Sequence, residues 1–161
     1  MKLELDDLDL RILHALQQDA SQTNQQLAAC VHASPPTCLR RVRRLVEEGV
    51  IARQVALLDP QRLSAALTAI VEVTLDRQGD EEQQAFEGIV AQEAAVQQCY
   101  RVSPGPDFVL VVLVADMPAY HALAHRLFAS QKNVRNVRSY FSIRRSKFET
   151  AVPLEAVERR P

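Results

Sequence analysis

The stretch SPPTCLRRVRRLVEEG, residues 34–49, spells out one complete helix with its own start and stop. Ser34 can accept a hydrogen bond from an N–H of the first turn, and Pro35 occupies the first helical position, where a missing N–H costs nothing. Leu39, Val42, Leu45 and Val46 recur at spacings of three and four, so they share an inner face. Gly49 follows Glu48 where a left-handed C-cap is needed. Between the apolar positions stand Arg40, Arg41, Arg43 and Arg44. With Arg53 added, five arginines face only Glu47 and Glu48, a local charge of +3 in a chain whose net charge is -1 over 161 residues. A near-neutral chain with one basic helix suits a surface that meets phosphate.

Working upstream, Asp6 or Asp7 can cap a helix whose apolar residues Leu8, Ile12, Leu13 and Leu16 form one stripe ending near Gln18. Thr23 caps a second short helix, with Gln26 three residues on completing a capping box and Leu27, Ala28 and Val31 facing inward. The turn His32-Ala33-Ser34 then leads into the basic helix. Downstream, Val50 to Leu58 reads as two short strand-like pieces, a candidate wing, closed by Asp59-Pro60. Three helices with a short second turn and a basic third helix predict a winged helix-turn-helix. The N-terminus of its third helix would enter the major groove of double-stranded DNA, placing Ser34, Pro35, Pro36 and Thr37 nearest the base edges, followed by Arg40 and Arg41. Arg43 and Arg44 would hold phosphates. Arg53, Thr23 and Asn24 complete the expected DNA-contacting set. A solvated face paired with Glu47 and Glu48 is the competing reading of these arginines, and the three-helix context favours DNA.

The rest of the chain changes period. Leu67, Ala69, Val71, Val73 and Leu75 alternate with Thr68, Ile70, Glu72 and Thr74, the pattern of a strand. Acidic residues 80–82 open a helix running to about Glu93 with Phe86, Ile89 and Val90 inward. Strands follow at Val96 to Val102 and Phe108 to Ala115, joined through Pro104-Gly105-Pro106. A second helix starts at Met117-Pro118, and a last strand runs from Val134 to about Ile143. The order strand, helix, strand, strand, helix, strand predicts a ferredoxin-like sandwich with the first and third strands central. The fold class is therefore α+β: a helix-turn-helix domain over residues 1–58, a hinge at 59–66, an αβ sandwich at 67–152 and a frayed tail at 153–161. The run FVLVVLVA, residues 108–115, is apolar on both faces, yet two helices cover only one face of a four-stranded sheet. The uncovered face predicts a homodimer.

Other function classes find little support. Hydrophobic residues make up 47% and charged residues 24%, the balance of a folding globular chain. No apolar run approaches the length of a spanning helix and the start lacks a secretory leader, so no membrane partner is expected and the cytoplasm is the expected location. Cys30, Cys38 and Cys99 form no C-x-x-C pair and read as reduced thiols, Cys38 as a small buried residue rather than a redox sensor. His121 and His125 have a metal-binding spacing but no third ligand. No phosphate loop, nucleophile elbow or convergent acid–base set occurs, so no catalytic residue, metal or cofactor is expected and an enzyme is disfavoured.

The segments LDDLDLRILHALQQDA, residues 5–20, and SPPTCLRRVRRLVEEGVIARQVALLDP, residues 34–60, resemble the DNA-binding half of the leucine-responsive (Lrp/AsnC) regulators. That family's pattern has L-D-x-x-D at the start, S-P-x-x-C-x-x-R in the recognition helix, then R-L, G-[VI]-I and A-L-L-x-P. Leu5, Asp6, Asp9, Ser34, Pro35, Cys38, Arg41, Arg44, Leu45, Gly49, Val50, Ile51, Ala56, Leu57, Leu58 and Pro60 fill those places. The second half is similar to the family's ligand-sensing domain. The resemblance implies dimers built through that domain, octamers as tetramers of dimers, and an amino-acid effector held between dimers.

One loop departs from the family. Its effector loop reads V-[ST]-G-[DE]-[YF]-D, whereas this chain has Val102-Ser103-Pro104-Gly105-Pro106-Asp107, losing an N–H donor and a carboxylate that could meet an ammonium group. Effector contacts are expected from Ser103, Pro104, Gly105, Pro106, Asp107 and Phe108 and from Asn136, Val137, Arg138 and Ser139. Two readings follow: a regulator modulated by an amino acid or related small molecule, and an architectural DNA-binding protein that ignores small molecules, its 104–106 loop a stiff turn between strands.

Overall fold

The computed structural model describes residues 4–63 and 67–154. The chain divides into two compact units: one formed by the chain up to Leu57 together with the segment from Lys147 onward, the other by Leu58–Ser146.

The first unit holds α1 (Asp7–Gln18), α2 (Asn24–Cys30) and α3 (Pro35–Glu47). Each begins at a side-chain cap: Asp6, Thr23 and Ser34 accept from the N–H three residues on. The helices close over Ile12, Leu13, Leu27, Ala28, Val31, Cys38 and Leu45, all buried. His32 takes a left-handed conformation (φ 55°) in the α2–α3 turn, and Gly49 (φ 73°) ends α3 as expected, its N–H donating to the Val46 carbonyl at 3.0 Å.

Two expectations change here. The strand pieces over Val50–Leu58 do not form: residues 52–59 carry neither helix nor strand, and Val55, Leu57 and Leu58 are exposed. A ladder needs a partner strand, and none is paired to this segment among the described residues. The chain from Lys147 belongs to the first unit rather than to the sandwich. Leu154 packs on its core, and the Gln17 amide clasps the Val152 backbone, donating to its carbonyl at 3.2 Å and accepting from its N–H at 2.6 Å. The rest of the expected tail, residues 155–161, lies outside the described residues. Pro60–Leu63, in the expected hinge, forms one 3-10 turn.

The second unit runs β1 (Leu67–Leu75), α4 (Asp80–Ala91), β2 (Val96–Arg101), β3 (Phe108–Val114), α5 (Met117–Ala124) and β4 (Val134–Phe141), with α5 continuing as a π-helical turn over His125–Ala129. The sheet is antiparallel in the order β2-β3-β1-β4, with β1 and β3 central as the pattern predicts. One face is fully covered: Ala69, Val71, Val73, Phe108, Leu110 and Val112 pack on Phe86 and Val90 of α4 and Tyr120 and Leu123 of α5. On the other face Ile70 stands between Val111 and Tyr140 in register, and Ile70, Tyr100 and Tyr140 are exposed. Among the described residues no helix is long and apolar enough to cross a membrane.

A Cβ at position 49 would meet nothing within 4 Å, so only the backbone conformation resists substitution. Gly49→Ala is expected to cost about 1–2 kcal/mol, the ordinary penalty of a left-handed L-residue, read as a lower denaturation midpoint at unchanged helix content.

Candidate nucleic-acid interface and effector region

The N-terminus of α3 is held by short polar contacts. Ser34 Oγ accepts from the Thr37 N–H at 3.4 Å and donates to Thr37 Oγ1 at 2.8 Å. Thr23 is locked into its capping box, its N–H and hydroxyl both reaching Gln26 Oε1 at 2.8 Å. Asn24 Nδ2 donates to the Pro35 carbonyl at 2.9 Å and so ties the start of α2 to the start of α3. Of the residues expected at base edges, Ser34, Pro35 and Pro36 are exposed and Thr37 is half-buried.

The arginines divide into two sets. Arg41 Nη1 lies 2.7 Å from Asp6 and 3.2 Å from Asp9, and Arg44 Nη2 lies 2.5 Å from Asp9. Asp9 is fully buried, and its Oδ2 also accepts the Asp6 N–H at 3.1 Å. The hydrogen bond from the Asp9 N–H, then the Arg41 guanidinium, holds the Asp6 carboxyl below its ordinary range, and contact with Asp6 pushes Arg41 up. Arg40, Arg43 and Arg53 are exposed and bond to none of the described residues. The outward charge of this stretch is therefore three arginines against Glu47 and Glu48, a smaller surplus than the raw sequence suggests. Arg41, expected at a base edge, and Arg44, expected on a phosphate, are instead occupied inside the unit, because a buried carboxylate demands partners.

Asp9 is the residue that sequence reasoning named only as part of a motif. A signal was available: Asp6 and Asp9 stand three apart before an apolar stripe, the spacing of a capping box, which they form. Elsewhere in the unit Cys38 is buried, and burial pushes its thiol up, which keeps it protonated.

In the second unit the expected effector residues fall in different environments. Asp107 is buried, and its Oδ2 accepts the Leu75 N–H at 2.7 Å and Gln78 Nε2 at 3.2 Å, while its own N–H donates to the Val73 carbonyl at 2.9 Å. That carboxylate oxygen is committed to tying the start of β3 to the end of β1. Phe108 is fully buried against Phe86, ring centroids 4.9 Å apart. Ser103, Pro104 and Gly105 are exposed, with a cis peptide at Ser103-Pro104 and φ +131° at Gly105. Strand alternation divides the other group. Val137 and Ser139 face the helices, Ser139 Oγ bonding the Tyr120 hydroxyl, whereas Arg138 stands across from Glu72 on the open face.

Asn136, Val137 and Ser139 line a cleft of about 520 Å3 between β4 and the end of α5, with Tyr120, His125 and Phe128 opposite. The 103–108 loop does not line it. His121 and His125 are both exposed on their helix.

Removing the Asp9 charge would leave Arg44 without its anion and Arg41 with Asp6 alone. Asp9→Ala is expected to destabilise the first unit by about 1–3 kcal/mol, the range for donors left without their acceptor, measured by chemical denaturation.

Comparison with known proteins agrees with both halves. A family model described as a winged helix-turn-helix DNA-binding domain matches residues 5–52, and one described as the Lrp/AsnC ligand binding domain matches residues 68–152. The leucine-responsive regulatory protein of Escherichia coli (strain K12) is 37% identical over 85% of this chain and 84% of its own. The crystal structure of an AsnC family transcriptional regulator from Agrobacterium tumefaciens superposes with a TM-score of 0.89 at 35% identity, covering 94% of this chain and 99% of that one. A transcriptional regulator from Neisseria meningitidis, solved as an L-Met complex, superposes with a TM-score of 0.89 at 28% identity over 96% of this chain and 99% of its own. The chain belongs to the Lrp/AsnC family of DNA-binding transcriptional regulators.

Proposed function

We propose that the first unit lays α3 in the major groove with Ser34, Pro35, Pro36 and Arg40 toward base edges and Arg43 and Arg53 on phosphates. The observation that carries this reading is the division of the arginines: Arg41 and Arg44 are paired with Asp6 and Asp9, whereas Arg40, Arg43 and Arg53 are exposed and have no partner among the described residues. Thr23, Asn24 and Thr37 then act by positioning the helix start. Arg41 and Arg44 fix the angle at which it is presented.

In a gel-shift series, Arg40→Ala should weaken binding and relax sequence preference, by about 1–3 kcal/mol for a base contact. Arg43→Ala should weaken all sequences alike and reduce the salt slope by about 1. Both should leave the melting midpoint unchanged, whereas Arg41→Ala should lower it. Equal loss of binding at unchanged stability for Arg41→Ala would return that residue to the base-reading set.

The protein works as a regulator and not as an enzyme in this reading, in the cytoplasm, as a homodimer through the open sheet face and as an octamer of four dimers. Exposed Ile70, Tyr100 and Tyr140 beside half-buried Val109 and Val111 support the dimer, since an apolar sheet face is stable when covered. Two helix-turn-helix heads brought together would match spaced half-sites. The second unit takes an amino acid or related small molecule as effector, supported by the L-Met complex of the N. meningitidis regulator. Ile70→Lys places a charge at the centre of the open face and is expected to convert dimers or octamers to monomers in native mass spectrometry. An unchanged mass distribution would remove this face from the assembly.

A further inference from the structure

The open face of the sheet carries one acid and one base. Pairing sets its side chains in rows: Tyr100, Val109, Glu72 and Arg138 stand side by side across the four strands, with Ile70 and Tyr140 neighbours in the next row. Among the described positions that this pairing places on the open face, Glu72 and Arg138 are the charged ones. Glu72 is half-buried on a central strand, and its carboxylate accepts the Tyr140 hydroxyl at 3.4 Å. Arg138 is exposed on the edge strand β4. The two stand directly opposite in register, where opposite charges on one sheet can meet, yet Arg138 makes no ion pair with Glu72 or with any other described residue.

Covering this face takes both charges out of water. A charge buried without a partner is strongly destabilising, so whatever covers the face must bring an anion to Arg138 and a donor or cation to Glu72. A second copy of the same face brings both. In a two-fold dimer a contact from residue i to residue j is repeated from j to i, so one acid and one base per face make two identical pairs with no net charge between the sheets. Face-to-face sheets pack about 10 Å apart, a gap that an arginine and a glutamate reaching toward each other span. A related chain with the opposite sign at either position would meet a like charge instead.

We propose that Arg138 of each protomer pairs with the partner subunit's Glu72 across the two sheets, and that this reciprocal pair makes the open face select a second copy of this chain over related chains of different charge pattern. The apolar side chains supply the burial and the two charges supply the selectivity. Tyr140 is a positioning residue, its hydroxyl holding the Glu72 carboxylate. This rests on the reading that the open face is the dimer interface, and it names what that face recognises.

The test is a charge exchange in the full chain, read by native mass spectrometry over a dilution series. Glu72→Arg alone sets arginine against arginine and Arg138→Glu alone sets acid against acid, so each should raise the dimer dissociation constant by about ten-fold or more. Co-expressed in equal amounts, the two variants complement each other, and mixed dimers, distinguished by their masses, should exceed the half expected from random pairing. The double variant E72R/R138E should return to the wild-type constant. Unchanged dissociation in both single variants overturns the proposal, and so does random mixing, including the case in which the double variant alone recovers, which marks a pair within one protomer. Should a swapped chain fail to fold, Glu72→Gln and Arg138→Gln remove the charges at similar size. Their combined loss should then fall short of the sum of the single losses, and additive losses overturn the pair. Ile70→Lys separates the two levels: monomers from Ile70→Lys with random mixing of the swapped variants keep the dimer face and remove the pair, whereas intact dimers remove both.

Discussion

The presentation of α3 depends on one buried carboxylate. Asp9 sits in the first turn of α1 with no solvent exposure, and an ionised group there persists only if its oxygens are occupied. They are: the Asp6 N–H, Arg41 and Arg44 all converge on it. The same residue thus closes the capping box of α1 and anchors α3. A buried ion pair is weak evidence for stability, since an apolar replacement of equal shape can be as stable. Its physical consequence here is geometric. Positions 41 and 44 are one helical turn apart and share a face, as do 40 and 43, so satisfying one acid turns two arginines inward and leaves two outward.

The turn before α3 works in the same direction. Asn24 grips the Pro35 carbonyl, Ser34 and Thr37 bond each other, and His32 accepts a left-handed backbone to bring the chain round. None of these groups needs to touch DNA to matter. They set the position of the first helical turn, whose exposed Ser34, Pro35 and Pro36 stand nearest to whatever the helix enters. Two prolines and a cap leave few free N–H groups there, so a phosphate bound at this terminus would rely on side chains more than on the backbone.

What was legible in the sequence follows from the range of each interaction. Caps act over three residues and strands over two, so Asp6, Thr23, Ser34, Gly49 and the alternation from Leu67 to Leu75 could be read directly, and strand order followed from handedness. The partition of the arginines could not, because it depends on an acid 32 and 35 residues away. Neither could the return of the C-terminal segment to the first unit, which turns on Gln17 and Val152, 135 residues apart. The expected strand pieces did not form for a related reason: β-propensity in Val50 to Leu58 describes a surface that fits a ladder, but the ladder needs a second strand.

The effector region illustrates how burial changes what a residue can recognise. Asp9 and Asp107 are the charged side chains buried among the described residues, one in each unit, and each accepts hydrogen bonds from donors of its own unit. Asp107 Oδ2 is spent on the Leu75 N–H and the Gln78 amide, and freeing that oxygen would cost the contacts it makes. The β4 cleft, by contrast, carries several polar side chains on its lining, Arg135, His125, Gln131, Ser139 and Tyr120 among them.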